Sequence, residues 1–501
     1  MMTEAVHSVF DTASIGASLD VCRHSWIGDR ADLDCTGSIA HIDPSNGDSL
    51  GDIDEAGPAL VDRAVAAART AFQRQWGRLA ARKRKQLLRD YAQIVTDHRE
   101  ELAALETLEV GRPIAEALTV LARGPELLSE CVELIDGAQG DLAGADDRRM
   151  SVSWHRPRGV VAAITPWNFP CVNVLMRLAP ALAAGNTVVV KPSEYSPRSA
   201  VRLAQLALEA GLPEGVVNVV TGSGRVTGHA LAEHADIDLI SFTGSTRTAR
   251  DVLMAAAEHS LKPVLLECGG KSPQILLDDI FDDPGIWAPI FFSAFWNSGQ
   301  WCVARTRLLV PRSRIAMAID GLKKAAATWR LGDPRYTDTR LGPLASPQQF
   351  RRVNEYLEIA GRCGQLIELP CPRGATHPDG CYVAPRVIVA EEPSGRIVQE
   401  EVFGPILTIQ PYEDEEQALK LANGTSFGLA ASVWTNVANT GYKLARHVQA
   451  GLVEVITSSA VVGEAMPRRH YEPSKQSGFG VDGGKAGLLR YTHAQSVTFR
   501  F

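Results

Sequence analysis

The sequence predicts an α/β protein with two domains, each built around a mostly parallel sheet. Three observations carry this prediction. The chain has 501 residues, which is long enough for two or three domains with sizeable cores. From Gly159 onwards, short runs rich in Val and Ile alternate with helical stretches, a pattern typical of parallel βαβ units. Hydrophobic residues make up 45% and charged residues 22% of the chain, an ordinary balance for a globular protein.

The predicted elements follow in order along the chain. Residues 1–40 show no strong period and are predicted to form an extension. Apolar residues recur at helical spacing from Ala59 to Ala122, and Gly111–Pro113 marks a helix boundary inside that stretch. Further on, we predict strands at 160–164, 186–191, 216–220 and 239–242, alternating with helices at 179–184, 199–210, 229–234 and 247–258. Val264–Leu266 leads into the second domain, which continues to about Ile456.

Two further segments are predicted strands that belong to neither domain. Met150–His155 alternates polar and apolar residues, and Ser496–Phe501 ends the chain as another extended run. A terminal strand exposes unpaired backbone groups, so we expect these two segments to pair across a subunit boundary in a homo-oligomer.

Charge and cysteine content exclude several classes of protein. The net charge of −7 argues against a general nucleic-acid binder. Nine cysteines without a CxxC pair argue against a disulfide framework and a structural zinc site. The longest apolar stretch, Ile286–Trp296, is too short to span a membrane, and the N-terminus lacks the apolar core of a secretory signal. We therefore expect a cytoplasmic protein without nucleic-acid or membrane partners.

Two segments carry the chemistry that the sequence predicts. Cys302 ends the run Phe295–Cys302, and Glu267 opens the run Glu267–Pro273; both runs contain glycine and can turn sharply. A thiol attacks carbonyl carbon well, and a carboxylate can then activate water against the resulting thioester. Apolar residues before Glu267 and glycines after it indicate a buried turn, where desolvation raises the pKa of a carboxyl group towards neutral pH.

Both segments, in their order and separation, closely resemble the aldehyde dehydrogenase superfamily, and the resemblance extends from about Ala71 to the C-terminus. It implies a Rossmann-like NAD-binding domain, a second α/β catalytic domain and a small β oligomerisation domain. We place the NAD-binding domain at residues 1–149 and 158–266, the catalytic domain at 267–470, and the oligomerisation strands at 150–157 and 480–501. A homodimer or homotetramer is expected.

The resemblance also implies roles for individual residues. Cys302 would be the nucleophile, Glu267 the general base of deacylation, and Asn168 a donor to the oxyanion, together with the backbone N–H of Cys302. No metal is required, because the thiol and the oxyanion donors already supply the nucleophile and the electrophilic assistance.

The same resemblance predicts the cofactor site. The turn containing Gly244 and Ser245 follows a predicted strand and opens a helix, so its N–H groups can meet pyrophosphate oxygens. Lys191 and Glu194 would bind the adenine ribose, and the carboxylate of Glu194 would repel a 2′-phosphate, which favours NAD over NADP. The remaining predicted cofactor residues, on the nicotinamide side, are Trp167, Glu401 and Phe403.

The chain departs from the family pattern in two places. Ala249 stands where the family commonly has glycine. Residues 456–474 replace the usual lead into the Lys-x-Ser-Gly motif, and Thr457–His470 lacks the aromatic residues that normally narrow the aldehyde entrance. Arg468 and Arg469 lie in that loop and could attract an anionic tail. We expect a poor activity with small aliphatic aldehydes.

Two alternatives stay open at this point. A coenzyme A-acylating semialdehyde dehydrogenase would use the same cysteine but typically lacks the carboxylate base, whereas Glu267 is present. A catalytically silent NAD-binding relative would be expected to lose the thiol, the base or the oxyanion donor.

Overall fold

The computed structural model describes residues 9–10, 20, 22–461 and 470–501. The strands in these residues are β1 Ser25–Ile27, β2 Arg30–Asp32, β3 Gly37–Ile42, β4 Ser49–Glu55, β5 Gly140–Asp146, β6 Arg149–Pro157, β7 Val160–Ile164, β8 Thr187–Lys191, β9 Val217–Val219, β10 Leu239–Thr243, β11 Val264–Glu267, β12 Pro273–Leu276, β13 Arg307–Pro311, β14 Arg330–Leu331, β15 Thr339–Leu341, β16 Leu366–Glu368, β17 Arg386–Val389, β18 Ile406–Tyr412, β19 Phe427–Gly428, β20 Ala430–Trp434, β21 Leu452–Ile456, β22 Ser474–Lys475, β23 Gly478–Phe479 and β24 Thr492–Arg500. The helices are α1 Pro58–Arg74, α2 Ala81–Asp97, α3 Arg99–Val110, α4 Ile114–Leu121, α5 Arg123–Leu134, α6 Pro170–Ala184, α7 Arg198–Glu209, α8 His229–Glu233, α9 Thr246–His259, α10 Trp287–Phe295, α11 Ile315–Ala326, α12 Pro347–Cys363, α13 Arg396–Gln399, α14 Glu415–Asn423, α15 Ala438–Ala445 and α16 Gly484–Arg490.

The first sheet has eight strands in the order β2-β1-β9-β8-β7-β10-β11-β23. Its five central strands, from β9 to β11, run parallel, as the alternation of strands and helices predicts. Along β7, Val161 and Ala163 enter one hydrophobic core, whereas Val160 and Ala162 enter the core on the other face. Both faces are thus covered, which explains why these strands are continuously apolar rather than alternating.

The second sheet has seven strands in the order β16-β17-β18-β13-β12-β20-β21, all parallel except for β16. Its two faces also enter separate cores: Leu308 packs into one and its neighbour Leu309 into the other. Two parallel sheets, each covered on both faces, make up the predicted α/β class.

A third sheet consists of three antiparallel strands in the order β24-β6-β5. The two segments predicted as extended runs form β6 and β24; backbone pairing across a subunit boundary stays a prediction. β24 and β6 pair with each other over nine residue pairs, from Thr492 with Pro157 to Arg500 with Arg149. The segments are far apart in sequence, so only the folded chain shows that they meet. The open edges of this sheet are β24 and β5.

Two boundaries differ from the predicted ones. Residues 22–42 are not a plain extension, because β1 joins the first sheet beside β9 and β3 pairs with β4. β11, which covers the predicted domain end at residue 266, belongs to the first sheet. Residues 480–501 include helix α16, whose Leu488 packs into a core of the first sheet. These short elements carry little periodicity of their own, since contacts with the sheet decide their structure.

The aldehyde-entrance loop predicted at Thr457–His470 falls partly outside the described residues, and Arg468 and Arg469 lie there. Among the described helices, none is long and apolar enough to cross a membrane.

Candidate active site

Cys302 follows a short 3₁₀ helix, Trp296–Gly299, that continues from helix α10. Its side chain is half-buried. Burial raises the pKa of the thiol to about 12, and the negative charges of Glu267 and Glu401 act in the same direction. The resting side chain is therefore a thiol at neutral pH, and it must lose its proton before it can attack.

The turn before Cys302 is strained. Asn297 and Ser298 have φ angles of 52° and 54°, in the left-handed region that residues other than glycine rarely adopt. Two hydrogen bonds to distant backbone hold the turn: Ser298 Oγ donates to the Gly342 carbonyl at 2.8 Å, and Asn297 Nδ2 donates to the Asn168 carbonyl at 3.1 Å. The strain is thus maintained by contacts that also fix the nucleophile segment relative to Asn168.

The buried side chain of Asn168 is oriented by two partners. Its Oδ1 accepts from Asn173 Nδ2 at 3.2 Å, and its Nδ2 donates to the Gln300 carbonyl at 3.1 Å. This network assigns the amide nitrogen to the side of the segment that ends in Cys302. Nδ2 carries two hydrogens, so one can serve a developing oxyanion while Gln300 accepts the other.

Glu267 is the last residue of β11 and is only 8% exposed. Burial raises the pKa of its carboxyl group well above the ordinary value; Asp482 adds to the rise, whereas Arg177 and a hydrogen bond from Tyr471 oppose it. Arg177 is itself paired with Asp482 at 3.2 Å, so part of its charge is offset. A buried carboxyl group with a raised pKa suits a proton acceptor that works near neutral pH.

Two glycines bring the base segment against its neighbours. A Cβ on Gly269 would lie 2.0 Å from a carboxylate oxygen of Glu401, and a Cβ on Gly270 would lie 2.9 Å from the Cys302 carbonyl oxygen. The backbone N–H of Gly270 donates to Glu401 Oε1 at 2.9 Å. Any larger side chain would separate these segments, which explains why glycines stand at positions 269 and 270.

The residues predicted for the nicotinamide side lie together. The rings of Trp167 and Phe403 meet edge to face with centroids 5.3 Å apart. Phe403 has a φ angle of 60°, and Gln349 Nε2 donates to its carbonyl at 2.7 Å. Burial raises the pKa of Glu401 to about 7. These three residues adjoin Cys302, because Glu401 accepts a hydrogen bond from Gly270, and Gly270 lies against the Cys302 carbonyl oxygen.

The residues predicted for the adenine ribose lie at the carboxyl end of β8. Lys191 is buried, and its Nζ lies 3.5 Å from a carboxylate oxygen of Glu194, whose side chain is 30% exposed. The Lys191 carbonyl accepts from the backbone N–H of Thr165, just beyond β7, at 3.0 Å. Strand β7 thereby connects this pair to the segment that carries Trp167 and Asn168.

The predicted phosphate-binding turn opens helix α9. Ser245 is the N-cap, and its Oγ accepts from the Thr248 N–H at 3.1 Å. Gly244 donates its backbone N–H to the Glu267 carbonyl at 3.0 Å, so the turn lies beside the base. Ala249 is 3% exposed and packs into the core of the first sheet, so its methyl group points away from the turn that would receive phosphate.

Four aromatic rings pack together at the segment that leads to Cys302; we call Phe169, Phe292, Trp296 and Trp301 the aromatic wall. Trp296 lies 4.8 Å from Trp301, 5.2 Å from Phe169 and 5.2 Å from Phe292, measured between ring centroids. Trp296 and Trp301 lie in the run that ends in Cys302, whereas Phe169 caps helix α6 and Phe292 lies in helix α10. Val120 and Val172 extend the apolar surface.

A buried ion pair behind Asn168 escaped the sequence analysis. Arg112 and Glu106, both with fully buried side chains, lie 3.1 Å apart. Arg112 donates to the Asn168 carbonyl, and its guanidinium lies 4.1 Å from the centre of the Phe169 ring. Both charged residues occur in a helical stretch, where the usual expectation is a solvated face; only the glycine and proline around Arg112 hinted at a special position.

The sequence profile of the aldehyde dehydrogenase family matches residues 33–497. The chain is 36% identical over 482 residues to the aminoacetaldehyde dehydrogenase of Pseudomonas aeruginosa, covering 96% of this chain and 95% of the other. It is 38% identical over 459 residues to the NADP/NAD-dependent aldehyde dehydrogenase PuuC of Escherichia coli K12, covering 91% of each. A solved structure of indole-3-acetaldehyde dehydrogenase in complex with NAD⁺ superposes with a TM-score of 0.93 at 35% identity, covering 99% of this chain and all of that one.

Fold and site therefore define an oxidoreductase of the α/β class with a cysteine beside a buried carboxylate. The chain belongs to the aldehyde dehydrogenase family, and the predicted family and fold class are confirmed.

Proposed function

We propose that the chain oxidises an aldehyde to the carboxylate with NAD, using Cys302 as nucleophile, Asn168 as oxyanion donor and Glu267 as base. The observation that supports this most is the grouping of these side chains where parallel strands of the first sheet end, beside the residues predicted to bind the cofactor. Ligands of open α/β sheets bind at that edge. The CoA-acylating alternative is disfavoured by the buried carboxylate of Glu267, and a silent relative would lack one of the three groups.

The steps follow from what each side chain can do. Cys302 attacks the aldehyde carbon, and its proton passes to a base; Glu267 suits this role, because its charge acts on the thiol. Asn168 Nδ2 and the Cys302 backbone N–H stabilise the oxygen that becomes negative in the thiohemiacetal. After oxidation to the thioester, Glu267 takes a proton from water, and the resulting hydroxide cleaves the thioester to release the acid.

The residues present fit NAD. Helix α9 presents its N-terminal N–H groups beside the exposed Ser245, and Glu194 lies half-exposed next to Lys191. We assign the adenine ribose to Lys191 and Glu194, the phosphates to Gly244 and Ser245, and the nicotinamide ribose to Glu401 beside Trp167 and Phe403. When bound, NAD supplies the acceptor for the hydride that leaves the thiohemiacetal.

Replacing Glu194 by serine should relax the preference for NAD over NADP. The carboxylate accepts hydrogen bonds from ribose hydroxyls but repels a 2′-phosphate, and a contact between like charges costs about 1–4 kcal/mol at a protein surface. We expect the ratio of kcat/KM for NAD to that for NADP to fall roughly tenfold or more. A wild-type enzyme that already prefers NADP would contradict the assignment of Glu194.

The aromatic wall supports a bulky or aromatic aldehyde as the substrate class. Four packed aromatic side chains, two of them in the segment that leads to Cys302, offer apolar surface that a two-carbon aldehyde cannot cover. We expect kcat/KM, followed by NADH absorbance, to be at least about tenfold lower for acetaldehyde than for an arylacetaldehyde, since each buried methylene contributes about 0.8 kcal/mol. A panel that includes carboxylated aldehydes tests the basic entrance residues; acetaldehyde as the best substrate would contradict the proposal.

We further assign the first sheet and its helices, including β1 and α16, to NAD binding, and the second sheet to the catalytic domain. We propose a homodimer or homotetramer, because neither edge of the three-stranded sheet pairs with another described strand, and Leu142, Phe499 and the adjoining Phe501 are exposed. A monomeric mass in light scattering would contradict this.

A cytoplasmic location is supported by nine unpaired cysteines, and fractionation of cells tests it.

A further inference from the structure

Tyr471 occupies a position fixed by a reciprocal backbone contact. Its N–H donates to the Asp482 carbonyl at 3.1 Å, and the Asp482 N–H donates back to the Tyr471 carbonyl at 2.9 Å. Asp482 is in turn held by its ion pair with Arg177 of helix α6. Tyr471 is therefore tied to the framework of the first sheet, although it follows a segment that lies outside the described residues.

The phenol of Tyr471 reaches the predicted base. Its O–H donates to Glu267 Oε2 at 3.4 Å, and it is the donor to this side chain among the residues that the structure describes. The Cys302 thiol lies close enough to interact electrostatically with both the phenol and the carboxyl group. The phenol of Tyr471 therefore lies near the proposed nucleophile and the proposed base. The proposed reaction neither forms nor breaks a bond to this phenol.

Apart from the hydrogen bond from Tyr471, the charged groups near Glu267 give its ionised form little stabilisation. Asp482 and Glu472 disfavour the ionised carboxylate, and Arg177 is the cation that favours it. Arg177 forms an ion pair with Asp482, and its Nη2 donates a hydrogen bond to Thr243 Oγ1 at 3.0 Å. A neutral donor is the remaining kind of group that can stabilise the carboxylate without adding charge.

We propose that Tyr471 is a positioning residue for the general base: its phenol fixes one carboxylate oxygen of Glu267 and stabilises the ionised form. The inference rests on the proposed role of Glu267. With Oε2 fixed, Oε1 can face the water that cleaves the thioester. A phenylalanine would fill the same space, so packing of the ring does not explain why residue 471 carries a hydroxyl.

The test is the pH dependence of deacylation in Tyr471→Phe, measured in single turnovers after the thioester has formed. The sign follows from the hydrogen bond: it holds the pKa of Glu267 down, so its loss raises that pKa. We expect the midpoint of the rising limb to move up by roughly one pH unit. The rate then falls about tenfold below the midpoint and returns to the wild-type rate above it, while the NADH burst and KM for NAD stay unchanged.

A stronger donor should act in the opposite direction. Site-specific 3-fluorotyrosine at position 471 keeps the ring and makes the phenol more acidic, so the midpoint should move down. This second variant decides the question if Tyr471→Phe does not fold. Tyr91→Phe is the matched control, because it removes a buried phenol that donates to the Leu203 carbonyl at 2.9 Å away from the site; its midpoint should equal that of the wild type.

Two variants separate the failure of this inference from the failure of the proposed base. If Glu267→Gln deacylates like the wild type, the base is wrong and the role of Tyr471 falls with it. If Glu267→Gln is slow but neither change at Tyr471 moves the midpoint, only the inference about Tyr471 is overturned. In the Glu267→Gln background, adding Tyr471→Phe should cause no further change, and a further slowing of deacylation would contradict the inference.

Discussion

Replacing Cys302 by serine is expected to remove aldehyde oxidation while NAD binding persists. An alcohol is far less acidic and less nucleophilic than a thiol, and the carboxylates of Glu267 and Glu401 make deprotonation at this position harder still. We expect kcat to fall by at least about a thousandfold, as is usual when a nucleophile is removed. NADH formation measures the loss, and titration of tryptophan fluorescence with NAD measures binding.

Cys363→Ser provides the matched control, because that cysteine is exposed on helix α12 and has no partner in the proposed chemistry. Its activity should equal that of the wild type. Activity of Cys302→Ser within tenfold of the wild type would rule out Cys302 as the nucleophile.

The parallel strands could be predicted because burial on both faces leaves a local signal. Strands β7 and β8 are runs of apolar and β-branched residues, and all of their residues are buried in the structure. By contrast, β1 and β23 have three and two residues, and they are strands because they pair with β9 and β11. So short a run carries too little periodicity to be recognised.

The residues of the site also fall into two groups, those with a local signal in the sequence and those without one. Cys302, Glu267 and Asn168 lie in segments whose glycines and prolines mark turns, so each could be proposed from its own neighbours. The side chains that orient them could not. Asn173 reaches Asn168 from helix α6, Arg112 reaches it from the loop between α3 and α4, and Tyr471 reaches Glu267 across 204 residues of sequence. Their roles depend on the directions of side chains in the folded chain, and these directions cannot be read from the sequence.

Replacing Glu267 by glutamine is expected to convert steady turnover into a single burst of NADH. The amide keeps the size of the side chain but cannot take a proton from water, so the thioester on Cys302 forms and then persists. Removal of a general base typically costs about a hundredfold to ten-thousandfold, and we expect the steady-state rate to fall within that range. The acylated enzyme should be detected by mass spectrometry as one acyl adduct per chain.

The pH dependence gives an independent check on the same side chain. Burial and Asp482 raise the pKa of Glu267, so the base is protonated and inactive below that pKa and becomes active as the pH rises through it. Wild-type deacylation should therefore increase as the pH rises through the raised pKa of Glu267, whereas the slow deacylation of Glu267→Gln should lack this rise. A steady-state rate equal to that of the wild type, or the same pH profile in both proteins, would show that another group activates the water.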